Sequence, residues 1–186
     1  MKKNYSYLDY LKTRSRLGLW YRKYWLYPRL ANLVEGDALD IGCGIGDFIK
    51  FRANTIGVDI DPEIVDWCIS NGLNVSLMKQ DTLDFPDDRF DSILLDNVLE
   101  HLDNPEKLLA EIRRVLMPGG RFLIGVPGIK GYESDPDHKI YYHQELLIST
   151  LEHAGFSSEK IFHTPITIPS LSKFMKQYCI YGVFRN

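Results

Sequence analysis

Residues 38–48 read ALDIGCGIGDF: a short apolar run, three glycines at alternate positions, then an acid, Asp47. A strand that breaks into closely spaced glycines clears the turn of side chains, so that backbone can approach a ligand. The fingerprint for a dinucleotide is G-x-G-x-x-G, spaced to admit a pyrophosphate. Gly42, Gly44 and Gly46 give G-x-G-x-G instead, and the Asp47 carboxylate that follows would repel a pyrophosphate. Asp40, inside the strand, adds a second acid to the same corner. That corner suits a ligand with a cationic centre and disfavours a nicotinamide dinucleotide.

The rest of the chain alternates apolar and amphipathic segments. Residues 38–42, 55–59, 74–78, 91–96 and 121–126 read as buried strands, with helices expected over 46–52, 62–71 and 104–116. Asp61-Pro62 and Asn104-Pro105 are helix starts, while Asn71-Gly72 and the MPGG of 117–120 are stops. A longer loop follows over 127–141, then a helix over 143–154 and two tail strands near 158–163 and 179–185. Such alternation predicts a three-layer α/β/α sandwich around a mostly parallel sheet, with ligands at the carboxyl ends of the strands. Three acidic signals stand at those ends. Asp59, after strand two, can accept from both hydroxyls of a ribose, and Asp81 with Thr82, after strand three, from an exocyclic amine such as that of adenine. Asp96 and Asn97 end strand four.

With ALDIGCGIGDF, the stretches GVDIDPEIV, QDTLDFPDDRFD, LLDNVLEHLDNPEKLLAEIRRVLMPGGRFLIGVP and HQELLISTLEHAGF run in order across about residues 37–156. Together they resemble the class I S-adenosylmethionine-dependent methyltransferases of the small-molecule, type 11 group. The resemblance implies a Rossmann-like fold with seven strands in the order 3-2-1-4-5-7-6, strand seven antiparallel. It implies S-adenosyl-L-methionine as cofactor, its methionine end lined by Gly42, Cys43, Gly44 and Gly46, its ammonium oriented by Asp40. Asp59 would take the ribose hydroxyls, Ile60 would pack on the adenine, Asp81 would bind its amine and Thr82 flank the ring. Backbone at Asp96 or Asn97 would lie near the methyl group. Asp59 follows Gly46 by only 13 residues, so the helix between them is shorter than usual in the group, and looser packing is expected there.

Methyl transfer to a hydroxyl benefits from a general base, and histidine titrates in the useful range. His138, in the loop over the pocket, is the preferred base; His101, in LEHL, and His143 are the other candidates, although His143 also stands where a helix N-cap belongs. His153 and His163 carry no such signal. Asp96-Asn97 faintly suggests the metal sites of catechol-type enzymes, but the VLEHL context belongs to the metal-independent group, so no metal is expected. The bulk charge hides an asymmetry that bears on the acceptor. Residues 1–33 hold eight Lys and Arg against one acid, with eight aromatics, whereas residues 34–186 hold 14 against 24. This basic aromatic arm, set apart from a methyltransferase domain over 34–186, is expected to pack its rings on the body, to hold an anionic or sugar-bearing acceptor, or to rest on an anionic membrane. The expected acceptor is a small molecule, a glycan or lipid-linked intermediate, a quinone precursor or a carrier-bound metabolite, methylated on oxygen. The acidic body disfavours nucleic acid. Three cysteines with no C-x-x-C pair, and the lack of a long apolar run, point to a cytoplasmic protein, and a monomer or homodimer is expected. The competing reading is a cofactor-binding fold without activity that serves as a partner or regulator.

Overall fold

The computed structural model describes residues 7–168 and 172–186, so Tyr5 of the arm and residues 169–171 of the tail lie outside the described residues. Seven strands form one sheet: β1 Ala38–Ile41, β2 Thr55–Asp59, β3 Val75–Leu77, β4 Phe90–Asp96, β5 Leu116–Pro127, β6 Ser157–Thr164 and β7 Cys179–Arg185. Their order is β3-β2-β1-β4-β5-β7-β6, with β7 antiparallel to both neighbours, as expected. β1 is buried at all four residues because it pairs on both sides, Ala38 opposite Thr55 in β2 and opposite Ser92 in β4. A strand covered on both faces must be apolar throughout, which makes the acid within it, Asp40, an exception that needs a reason.

The helices are α1 Tyr7–Lys12, α2 Arg16–Tyr21, α3 Tyr27–Ala31, α4 Asp47–Phe51, α5 Pro62–Ser70, α6 Glu106–Val115, α7 Ile129–Tyr132 and α8 Gln144–His153. Their starts follow the local chemistry. The Glu63 N–H donates to Asp61 Oδ1 (2.8 Å) and the Glu106 N–H to Asn104 Oδ1 (3.1 Å). Two expectations need correction. The segment over 127–141 is not a bare loop, since it contains α7. β5 also begins at Leu116 rather than 121: Phe90 pairs with Leu116 ahead of a register shift, so that MPGG lies inside the strand as an irregularity.

A further correction concerns α4. It has five residues, as short as expected, but its packing is not loose. Phe48 is buried, the Tyr27 ring meets those of Phe48 and Phe51 at 5.7 and 5.8 Å, and the Arg52 guanidinium bonds the carbonyls of Val34, Gly36 and Ala53. The arm supplies the contacts a longer helix would make. α2 and α3 are joined through a wide π turn at Arg22–Leu26, and Leu26, Tyr27 and Leu30 share one apolar cluster with Ala38, Leu94, Leu123 and Tyr181. The other face of the arm stays in water, with Leu17, Trp20 and Tyr24 each more than half exposed.

Candidate active site

The glycine turn closes over the end of β2. The N–H groups of Gly42 and Cys43 both donate to the Val58 carbonyl (2.9 and 3.1 Å), and Gly44 N–H donates to Asp59 Oδ2 (2.9 Å). Only glycine serves at position 42: its φ is +67°, and a Cβ there would stand 2.5 Å from Val98 Cγ2. Gly46 takes the left-handed conformation just before α4. The Cys43 thiol is pushed up by burial, which makes it a poor nucleophile and a small wall of the turn.

Asp59 ties this turn to the next. Its Oδ1 accepts from the Asp61 N–H (3.0 Å), and burial raises its pKa even against these backbone donors. Each oxygen keeps a lone pair, which suits two ribose hydroxyls. Ile60, beside it, is 60% exposed, so its apolar face is available to a ring. Asp81 is half-buried and Thr82 exposed after β3, where Thr82 bridges back to Lys79.

Asp40 is 4% exposed, and among the described residues no donor bonds its carboxylate. Burial, then the neighbouring Asp96 and Asp59, hold its pKa well above the carboxylate range. Arg22 acts in the opposite direction, and such an acid keeps its proton unless a cation comes close enough to displace it. The ammonium of S-adenosylmethionine is such a cation, so the residues present fit that cofactor.

The other two acids of this corner are answered from the arm. Asp47 meets Arg14 at 2.6 Å, so its carboxylate does not stand as a free charge, and the preference for a cationic ligand rests on Asp40 instead. Asp96 Oδ1 accepts from Tyr181 Oη (2.7 Å) and Asn97 Nδ2 (2.8 Å), and Arg22 approaches Oδ2 at 3.4 Å. The Asp96 side chain is therefore spoken for, leaving backbone at this strand end. Asn97 holds φ +56° while its N–H donates to the Gly125 carbonyl. Leu8 and Leu11 of α1 pack on Ile45 and Ile64 beside the glycine turn, so the arm covers the carboxyl ends of the strands. An open depression of about 290 Å³ lies at the opposite, amino ends, lined by Asp37, Asn54 and Asn74.

Across from the glycine turn, a one-turn helix at Leu99–His101 brings Glu100 and His101 under the loop that carries His138. Glu100 is fully buried, neither oxygen is hydrogen-bonded by another of the described residues, and burial raises its pKa to about 8. His138 Nδ1 meets the Tyr132 carbonyl (2.8 Å), and its Nε2 lies 3.8 Å from Glu100 Oε1. The rings of His101 and His138 meet edge to face at 4.6 Å. His143 is elsewhere in role: its Nδ1 caps α8 by accepting from the Leu146 N–H (3.3 Å), and the structure does not bring it into this group. His153 binds the Ser149 carbonyl on the surface of α8, and His163 lies between Gln144 and Tyr178. Sequence reasoning missed Arg14, Arg22, Tyr181 and Glu100. The only signal was the concentration of cations in the arm against acids at the strand ends.

Residues 39–124 match the family model described as a methyltransferase domain. An uncharacterized protein of Methanocaldococcus jannaschii is 39% identical over 95 residues, 51% of this chain and 46% of that protein. A probable S-adenosylmethionine-dependent methyltransferase of Mycolicibacterium smegmatis is 32% identical over 161 residues, covering 77% of this chain and 63% of that one. The chain spans less than half the length of the first curated relatives it matches. Among solved structures, an S-adenosylmethionine-dependent methyltransferase from Aquifex aeolicus superposes with a TM-score of 0.69 at 21% identity, over 95% of both chains. No helix among the described residues is long and apolar enough to cross a membrane. Residues 39–124 therefore match a methyltransferase domain by sequence, and the fold of the described residues is that of solved S-adenosylmethionine-dependent methyltransferases.

Proposed function

We propose that the chain transfers a methyl group from S-adenosylmethionine to an oxygen of its acceptor. The observation that carries this reading is Asp40, a buried acid whose carboxylate meets no donor among the described residues, near an Asp59 already braced by two backbone N–H groups. Bound cofactor supplies a methyl group on a sulfonium, whose leaving group is already good, so the chain's task is mainly alignment. Asp40 would hold the ammonium, Asp59 the ribose, Ile60 and Thr82 the faces of the adenine and Asp81 its amine. Gly42 and Gly44 keep the methionine end free of side chains.

The acceptor would stand on the other side, under the loop of His138. Because its Nδ1 meets the Tyr132 carbonyl, His138 carries its proton there and presents an Nε2 lone pair. That nitrogen can take a hydroxyl proton, with His101 packed against the ring. His138→Ala should lower turnover by about 10²-fold or more and leave S-adenosylmethionine affinity near wild type. Tritiated-methyl transfer to a panel of hydroxylated acceptors, with cofactor titration alongside, reads both. Unchanged turnover would remove His138 as the base.

The arm's exposed face suits a lipid-linked acceptor presented at an anionic bilayer. Leu17, Trp20 and Tyr24 stand beside Arg16 and Lys23, and Arg29 covers the Trp25 ring at 3.3 Å. Co-sedimentation with phosphatidylserine vesicles should be salt-sensitive and should fall at least about tenfold in a Leu17→Ser/Trp20→Ser double variant. No sedimentation of the wild type at low salt would dismiss membrane contact.

A further inference from the structure

We propose that Glu100, His101 and His138 form a binding site for one divalent transition-metal ion of the zinc type, at the acceptor side of the methyl-transfer pocket. The three side chains come from two segments far apart in sequence, yet one ligand atom from each lies within 4.8 Å of the others. His138 Nε2 and Glu100 Oε1 are 3.8 Å apart, too far for a hydrogen bond. That distance is close to the roughly 3.4 Å separating two ligands of a tetrahedral ion bound at about 2.1 Å.

Three independent features support the site. First, Glu100 is fully buried, among the described residues no hydrogen bond from another residue reaches either oxygen, and Asp96 and Asp135 add negative charge around it. Such a carboxyl keeps its proton unless a cation displaces it, and a metal ion would do so. Second, the His138 imidazole is oriented from behind: the Tyr132 carbonyl accepts from its Nδ1 and so frees Nε2. Third, the loop is locked onto the first segment by backbone, with the N–H groups of Lys139 and Ile140 both donating to the Glu100 carbonyl (2.7 and 3.2 Å).

Two imidazoles and one carboxylate select a borderline ion such as Zn²⁺ over Mg²⁺ or Ca²⁺. Three protein ligands also leave a position open. With the ion bound, His138 Nε2 is its ligand and no longer a free base; an acceptor hydroxyl taking the open position would instead lose its proton to water at lower pH, its oxygen remaining on the ion as the anion. This role rests on the methyl-transfer reading; ion binding does not. No metal was expected from the sequence, where only Asp96-Asn97 was weighed. The Asp96 carboxylate is engaged by Tyr181, Asn97 and Arg22, so the ion's place lies one turn further along the chain.

The test is equilibrium dialysis of tag-free protein against ZnCl₂, followed by metal analysis, with Co²⁺ substitution read by visible absorption. The wild type should retain about one equivalent of zinc. His101→Ala and His138→Ala should each weaken it by at least about tenfold and lose the Co²⁺ bands, with unchanged circular dichroism. Glu100→Gln should do the same, and the histidine variants decide if it fails to fold. Retention well below one equivalent in the wild type, or equal retention in both histidine variants, overturns the site. Titration with S-adenosylmethionine on the same samples separates the two readings. Zinc held without cofactor binding would leave the ion site and remove its role in methyl transfer.

Discussion

Asp40→Asn should weaken S-adenosylmethionine binding by roughly 10- to 150-fold, the value of a charge-assisted hydrogen bond of about 1.5–3 kcal/mol. The same change should not destabilise the unliganded protein at neutral pH. In the wild type, burial and the facing Asp96 and Asp59 hold the Asp40 carboxyl well above its ordinary value. A pKa raised on folding means that the folded chain binds the proton more tightly. The associated stability is complete below about pH 4 and is lost as pH rises through the folded value. Asparagine does not titrate, so the stability of the variant should vary less between about pH 5 and pH 8. Thermal unfolding at both pH values, with calorimetric titration of cofactor, measures the two effects. Cofactor affinity equal to wild type would show that Asp40 does not meet the ammonium.

Asp59→Ala should lower affinity by a similar or larger factor and, unlike the first variant, should destabilise the chain. It removes the acceptors for the Gly44 and Asp61 N–H groups as well as those offered to the ribose. A fully buried donor left unpaired costs about 1–3 kcal/mol, and these part-buried donors should cost less each. Asp59→Asn keeps one acceptor oxygen and should fall between wild type and alanine in both measurements. An alanine variant that binds cofactor normally would contradict the ribose assignment.

Much of this was legible because it is local. The apolar runs of β1, β2 and β4, the proline and Asx starts of α5 and α6, and the glycines of 42–46 each state their structure within a few residues. The acids at strand ends follow from that register. What could not be read depends on pairs far apart in the chain. Arg14 meets Asp47 across 33 residues, and Arg22 reaches Asp96 across 74. No periodicity encodes such contacts, and they reverse one inference, since Asp47 is already paired with Arg14 and the preference for a cationic ligand passes to Asp40. The tight packing of α4 was hidden for the same reason: Tyr27, which covers it, comes from the arm. His143 was correctly placed at a cap, but its distance from the His101–His138 pair needed the loop's path. Glu100 was visible only as part of the VLEHL stretch. Its burial without a partner depends on the turn of 99–101 and the loop that closes over it.

The most direct measurement is calorimetric titration of the purified chain with S-adenosylmethionine, S-adenosylhomocysteine and NAD. Micromolar binding of the first two, with none of NAD, is the predicted result, because the corner offers a buried acid to an ammonium and its G-x-G-x-G spacing departs from the dinucleotide fingerprint. Absence of binding by either sulfur compound would contradict the methyltransferase reading and leave a fold that has kept its architecture without its cofactor.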